Sequence, residues 1–331
     1  MPTATRTADP NGAAELASEA VAVGVRDLPV VVIDLERARR RYRALRDDFP
    51  WVDVHYDVSA LAHPALLSAI AEVDGGFEVT HDQALPALLL AGSAGRHVLH
   101  ATPVAHPHEA RAAYDAGVRR FVVDDARALE VFAGAPGDLR VVLKLQPALA
   151  PRPAHRAARG MSPAAIVAAA RAARGLGVRI AGLSLTLPHD GSPAEYVSEI
   201  VRAMGVAADV EAGTAQRLRL LDLGDGFPGR ADSRPAERAE LARAIRGIVA
   251  PATSGITVTA SAGSAVTAGC LTIVSGDVRR DVEPAVASAC IDAGAEVVVL
   301  DGQGTSLLRR LPLLRSRGAS GHRVLRRLAG T

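Results

Sequence analysis

The chain has 331 residues, 49% of them hydrophobic and 3% aromatic, with 38 Lys and Arg against 36 Asp and Glu for a formal net charge of +2. That length buries a full core in one large domain or two smaller ones. Near-balanced charge removes any global electrostatic case for nucleic acid or an anionic membrane, and so few aromatics leave no stacking platform for single strands.

Residues 1–26 are Ala-rich and lack the basic start and long apolar core of a signal peptide, so they read as a flexible N-terminal segment. No apolar stretch reaches the length of a membrane span, and a soluble cytoplasmic protein is expected. Residues 27–50 form a leading strand and helix, in which Arg39, Arg40 and Arg41 lie near Glu36 and read as a solvated helix face. Eight short β-rich runs follow, at 51–59, 76–80, 97–102, 119–123, 140–145, 178–186, 218–223 and 255–261. Helical patterns separate most of them, as at 62–71, 108–117, 163–176, 194–212 and 234–249. Regular alternation of this kind predicts an α/β protein with a (β/α)8 barrel over 51–262, in preference to an open doubly wound sheet. Two further strand-like runs, 265–275 and 296–300, join the strand at 29–34 in a small β-element built from both chain ends. Residues 263–331 are thus a reduced C-terminal β-element and an Arg/Leu-rich tail.

Three local motifs are weak. Gly224, Gly226 and Gly229 match the spacing of a dinucleotide fingerprint, but Pro228 interrupts it and it follows the seventh β-run, not the first. His97, His100, His106 and His108 look metal-like in number; His97 and His100 point to opposite faces of a strand, and no cysteine is near. The stretch from His189 to Ser192 reads as a turn. Cys270 and Cys290, the only cysteines, read as small buried apolar residues.

The ordered segments DLERARRRYRALRDDFPWVDVHYDVSAL, GGFEVTHDQAL, ATPVAHPHEARAAYDAGVRRFVVDD, GLSLTLPHDGS, LDLGDGFPG and ITVTASAGSAVTAG run through roughly residues 28–305. In that order they resemble the pyridoxal-phosphate-dependent ornithine/diaminopimelate decarboxylases. The resemblance implies a TIM barrel of alanine-racemase-like type, with LDLGDGFPG as its phosphate loop. It also implies a lysine that binds the cofactor as a Schiff base at the end of the first barrel strand. Ser59 stands there, and serine forms no imine with an aldehyde. By the same correspondence Thr186 replaces a histidine over the cofactor ring. Ser261 and Ser264 replace a ring carboxylate and a phosphate arginine, and Asp225 places a carboxylate in the phosphate loop. The family's second-subunit cysteine and tyrosine have no counterpart in 273–277 and 301–305. These substitutions together lead to the expectation that pyridoxal phosphate binding is lost and that no cofactor is used.

What remains is a barrel mouth lined by Asp57, Ser59, Glu78, Lys144, Thr186, Asp225 and Ser261, with His81 and His189 near the rim. Lys144 is the single lysine of the chain. It has three readings: a grip on a ligand carboxylate or a base, a replacement imine lysine, or a structural ion pair with Glu78 or Asp57. Two functions follow, beside a third reading, a residual pyridoxal-phosphate decarboxylase. One is a barrel that binds or transforms a small amino-acid- or amine-derived metabolite, with Lys144, Glu78 and Asp57 catalytic and Ser59, Thr186, His189, Asp225 and Ser261 binding. The other is a non-catalytic partner, as homodimer or heteromer, that regulates or stabilises a biosynthetic enzyme.

Overall fold

The computed structural model describes residues 3–6, 30–81, 84–93, 95–148, 159–187, 191–224, 226, 235–252, 255–275, 296–300 and 307–312. Its strands are β1 (Thr3–Arg6), β2 (Val30–Asp34), β3 (Asp53–Asp57), β4 (Gly76–Val79), β5 (Val98–His100), β6 (Arg120–Val123), β7 (Arg140–Lys144), β8 (Ile180–Ser184), β9 (Leu220–Asp222), β10 (Thr257–Ser261), β11 (Leu271–Ser275), β12 (Glu296–Leu300) and β13 (Leu307–Pro312). The helices used below are α1 (Leu35–Asp48), α2 (Pro64–Ala71), α3 (Ala84–Leu90), α4 (Pro107–Asp115), α5 (Pro163–Gly175) and α6 (Pro193–Thr214). Among the described residues no helix is long and apolar enough to cross a membrane. The chain divides into two compact units, one of Met1–Arg43, Ala60–Val73 and Gly263–Thr331, the other of Ala44–Ser59 and Asp74–Ala262.

The second unit holds a closed barrel of eight parallel strands in the order β10-β3-β4-β5-β6-β7-β8-β9, as the alternation of β-runs and helices predicts. Register fixes which residues share a face, because side chains alternate with a period of two. His55 pairs with Gly76, Glu78 with Leu99, and Leu99 with Arg120. Val122 then pairs with Val142, Val142 with Gly182, and Gly182 with Leu220. Leu99, Val122, Val142 and Leu220 meet in one buried cluster although they come from four strands, and only the inside of the barrel allows that. The opposite face carries Tyr56, Phe77, Val79, Phe121, Val123, Val141, Leu143 and Leu183, all buried. The inward face thus carries an apolar cluster together with polar residues such as His55, Glu78 and Lys144, while the outward face is apolar.

Helix starts are specified locally. Ser162 caps α5, accepting from the N–H of Ala165 at 3.3 Å, with Pro163 next in the chain. Ser192 and Glu195 form a capping box at the start of α6: the Ser192 N–H donates to Glu195 Oε2 at 2.7 Å, and the Glu195 N–H to Ser192 Oγ at 3.3 Å. From α6, buried Glu199 accepts from the N–H of Ala148 at 3.2 Å, while Arg202 donates to the carbonyl of Gln146 at 2.7 Å. These bonds fasten the segment that follows Lys144.

The first unit carries a five-stranded sheet in the order β1-β2-β11-β12-β13, drawn from both chain ends. The strands β1 and β13 are additions that hydrophobic periodicity does not single out. Between β2 and α1, the Asp34 carboxylate accepts from the N–H of Arg37 at 2.8 Å and starts the helix. Cys270 is buried there, and burial pushes its thiol pKa up to about 12, which fits an inert packing residue. Cys290 lies outside the described residues.

A methyl group added at Gly182 would sit 1.7 Å from the carbonyl oxygen of Leu220 on the next strand. Gly182→Ala is expected to force β8 and β9 apart and to cost about 1–3 kcal/mol, as overpacking does. Thermal unfolding of the variant beside Gly175→Ala, where nothing crowds the added methyl, checks this.

Candidate functional site

Of the residues proposed from sequence, those that are described lie at the C-terminal ends of the barrel strands, where barrels of this kind place their sites. Asp57 and Glu78 are register neighbours on β3 and β4. Glu78 is buried and Asp57 half-buried. The Asp57 carboxylate accepts from the Ser59 N–H at 2.9 Å and from the Ser59 hydroxyl at 2.8 Å, closing the turn Val58–Ala60. Ser59 itself is exposed.

Lys144 ends β7 on the inward face, half-buried, as the register neighbour of Ser184. In an eight-stranded ring β7 lies diametrically across from β3, so Lys144 and Asp57 stand on opposite walls. Among the described residues Lys144 makes no ion pair, so the charge-balancing pair with Asp57 or Glu78 is not formed. Its strand end is held by the Met161 N–H donating to the Lys144 carbonyl at 2.8 Å and the Gln146 N–H donating to the Met161 carbonyl at 2.9 Å. Gly160 makes that contact possible: at φ 128 it leaves no room for a side chain, since a methyl would lie 2.7 Å from Gln146 N.

The polar centre of the site is a residue that sequence reasoning passed over. Asp222 is fully buried on β9. Its carboxylate accepts from Ser184 Oγ at 2.6 Å, Thr259 Oγ1 at 3.0 Å and the Gly224 N–H at 3.3 Å. The signal was present in Leu221-Asp222-Leu223, where an acid between two leucines on a strand must face inward. Ser261, fully buried on β10, receives no hydrogen bond at its Oγ and donates none among the described residues. Thr186 is half-buried just beyond β8. The backbone there is tight: a methyl on Gly224, at φ 72, would lie 2.3 Å from the Leu185 carbonyl, and one on Gly226 1.8 Å from the Leu187 carbonyl. His81 is exposed, and His189 and Asp225 lie outside the described residues. No group of His, Cys, Asp and Glu fit to hold a metal occurs among the described residues.

Lower in the barrel, His55 packs its ring over Gly76, where an added methyl would come 2.3 Å from His55 Cδ2. His55 Nε2 bonds Asp53 Oδ2 at 3.2 Å. That hydrogen bond holds the Asp53 carboxyl below its ordinary range, against the opposing effect of burial.

Asp222→Ala leaves two buried hydroxyls and one N–H without their acceptor, each costing about 1–3 kcal/mol. Asp222→Asn keeps one acceptor and loses less. Chemical denaturation of both is expected to rank wild type above Asn above Ala. The depressed Asp53 pKa contributes stability that is present above the unfolded carboxylate pKa and lost as pH falls through the folded one. In His55→Phe the Asp53 pKa rises toward its ordinary value, so that contribution is missing at neutral pH and the melting temperature falls less steeply on acidification than in wild type.

Comparison with known proteins places this geometry in a family. Residues 35–268 match the family model described as the pyridoxal-dependent decarboxylase, pyridoxal binding domain. A lysine/ornithine decarboxylase of Selenomonas ruminantium is 28% identical over 117 residues, covering 35% of this chain and 30% of that relative's length. The matched stretch thus spans under a third of that relative. Among solved structures, the lysine/ornithine decarboxylase of Vibrio vulnificus complexed with cadaverine superposes with a TM-score of 0.69 at 22% identity, covering 84% of this chain and 76% of that one. The arginine decarboxylase of Paramecium bursaria Chlorella virus bound to agmatine gives 0.71 at 13% identity and 91% coverage of both chains. Structural likeness at these identities establishes the fold.

The expectation that no cofactor is used is thereby corrected: the domain matched over most of the barrel is a pyridoxal-binding one. The expectation rested on individual substituted positions, Ser59, Thr186, Ser261, Ser264 and Asp225 among them, and substitution at those positions does not remove the domain's other groups. Serine at residue 59 cannot anchor the pyridoxal aldehyde, and its hydroxyl is already given to Asp57. The fit lies instead with Lys144, an inward amine without an ion pair among the described residues, and with the buried Ser261 hydroxyl. By the match over residues 35–268, the chain belongs to the pyridoxal-dependent decarboxylase family, of which it carries the pyridoxal-binding barrel.

Proposed function

We propose that the C-terminal mouth binds a pyridoxal group through Lys144 and takes a small amino-acid- or amine-derived metabolite as its substrate. When bound, such a group supplies a carbonyl that captures amines and a ring that draws off electron density. Lys144 is the only side-chain amine in the sequence, so covalent attachment to a lysine can occur nowhere else. The observation that carries the reading is its placement: inward on β7, half-buried, and with no carboxylate paired to it among the described residues. Bonds from Met161 and from α6 hold its strand end, so the amine is presented from a fixed backbone.

The other groups have separable roles. Glu78, buried opposite the lysine side of the ring, binds the amine of a substrate and takes or returns a proton at its carboxylate. Asp57 orients the turn that carries Ser59, and Ser261 offers a buried hydroxyl for a polar group of the cofactor. The relatives' names identify lysine, ornithine and arginine decarboxylases, and a basic amino acid is the substrate class to try first. A second reading, a non-catalytic partner of a biosynthetic enzyme, draws on one observation: at residue 59 the turn is closed by Asp57, with no amine present.

The test is reductive trapping. Protein incubated with pyridoxal 5′-phosphate and reduced with borohydride is expected to carry one adduct, mapped by peptide mass spectrometry to Lys144. Lys144→Arg, which keeps the charge, is expected to lose the adduct while retaining its circular dichroism spectrum. Labelling confined to the N-terminal amine, or equal labelling in the variant, would sink the proposal and favour the partner reading.

A further inference from the structure

The opposite end of the barrel carries a second pocket. A cavity of about 550 Å³ is lined by Arg120, Arg140, Arg179, Arg217 and Arg219, together with Gln216 and Thr257. These residues sit at or just before the starts of five successive strands, β6 to β10, so the cavity is the N-terminal mouth. Its volume is within the roughly 300–1,000 Å³ of small-molecule sites. Among the described residues no carboxylate lines it.

The arrangement costs energy unless something compensates. Arg120 and Arg140 are direct register neighbours on adjacent strands and share a face, a like-charge pairing that destabilises a sheet. Both are half-buried. Burial pulls the Arg120 guanidinium pKa down, and the charges of Asp53 and Asp222 only oppose that effect. Neither acid forms an ion pair with Arg120, although both lie near enough for their charge to act on it. Asp53 is bonded to His55, and Asp222 to Ser184, Thr259 and Gly224. Arg120 forms no ion pair among the described residues. Arg140 donates to the carbonyls of Gly137 and Leu139, and Arg219 to that of Gly255, which directs their planar forks without neutralising them. Arg179 and Arg217 are exposed at the rim and form no ion pair among the described residues. Guanidinium forks match phosphate and carboxylate oxygens two at a time.

We infer that the N-terminal mouth is a binding site for a small multivalent anion, of the di- or triphosphate or polycarboxylate class. The cavity is too small for a nucleic-acid duplex, and the sequence lacks the aromatics for a single strand. The site is separate from the lysine mouth and does not rest on the function proposed there.

Calorimetric titration and thermal shift with inorganic pyrophosphate, tripolyphosphate and citrate, each against sodium chloride of equal ionic strength, test the inference. Wild type is expected to bind at least one of these probes and to melt higher in its presence; the stronger arm assigns phosphate or carboxylate. Arg120→Met is expected to weaken binding at least about tenfold, the loss of one charge-assisted pair. Should that variant unfold, Arg179→Gln with Arg217→Gln at the exposed rim reads the same loss in a folded protein. No response beyond matched salt, an unchanged response in the rim variant, or binding of an oligonucleotide alone would overturn the site.

Discussion

The barrel mouth depends on one carboxylate. Asp222 receives two hydroxyls and a backbone N–H from β8, β10 and the turn after β9, and so joins three adjacent strands at the level where the candidate site begins. Parallel strands are tied to each other by slanted backbone bonds that leave side chains free to differ. A buried acid, by contrast, tolerates no vacancy among its donors, because its charge has no water to turn to. Ser184 is in turn the neighbour of Lys144, so the network reaches the lysine's strand through a single pair. The glycines at 224 and 226 belong to the same constraint: they let the chain pass close under the carbonyls of Leu185 and Leu187 without a side chain in the way.

Much of this was legible in the sequence because alternation is a local signal. The eight barrel strands, the inward face of Glu78 and Lys144, and the joining of both chain ends in one sheet all follow from short-range patterns. What escaped was whatever depends on distance across the fold. Nothing near Lys144 in the chain says that Asp57 stands on the far wall, so an ion pair looked natural. Asp222 was hidden in a motif valued for its glycines, although its place between two leucines marked it as buried. Asp57 and Ser59 are two residues apart, and their mutual bonds are of the turn-forming kind that short polar residues often make. The absence of a cofactor was inferred from individual positions, and it was overturned by the match of an entire domain. Single substitutions report on one bond each; the family match covers residues 35–268 together.

Charge is distributed unevenly between the two ends of the barrel. At the C-terminal mouth, Asp57, Glu78 and Asp222 outnumber the one lysine. At the N-terminal mouth, five arginines line a cavity that no acid among the described residues lines. A formal charge of +2 for the whole chain conceals this separation. Composition is an average, and a local field depends on which strand ends the charges occupy.

Between the mouths lies the apolar layer of Leu99, Val122, Val142 and Leu220. It makes the barrel two cups set base to base, with an apolar septum between them. A side chain altered on one rim leaves the floor of the other cup in place. The shared wall thus lets one set of eight strands carry an acid-rich mouth and an arginine-rich one, and the four residues of the septum are the part that neither can change alone.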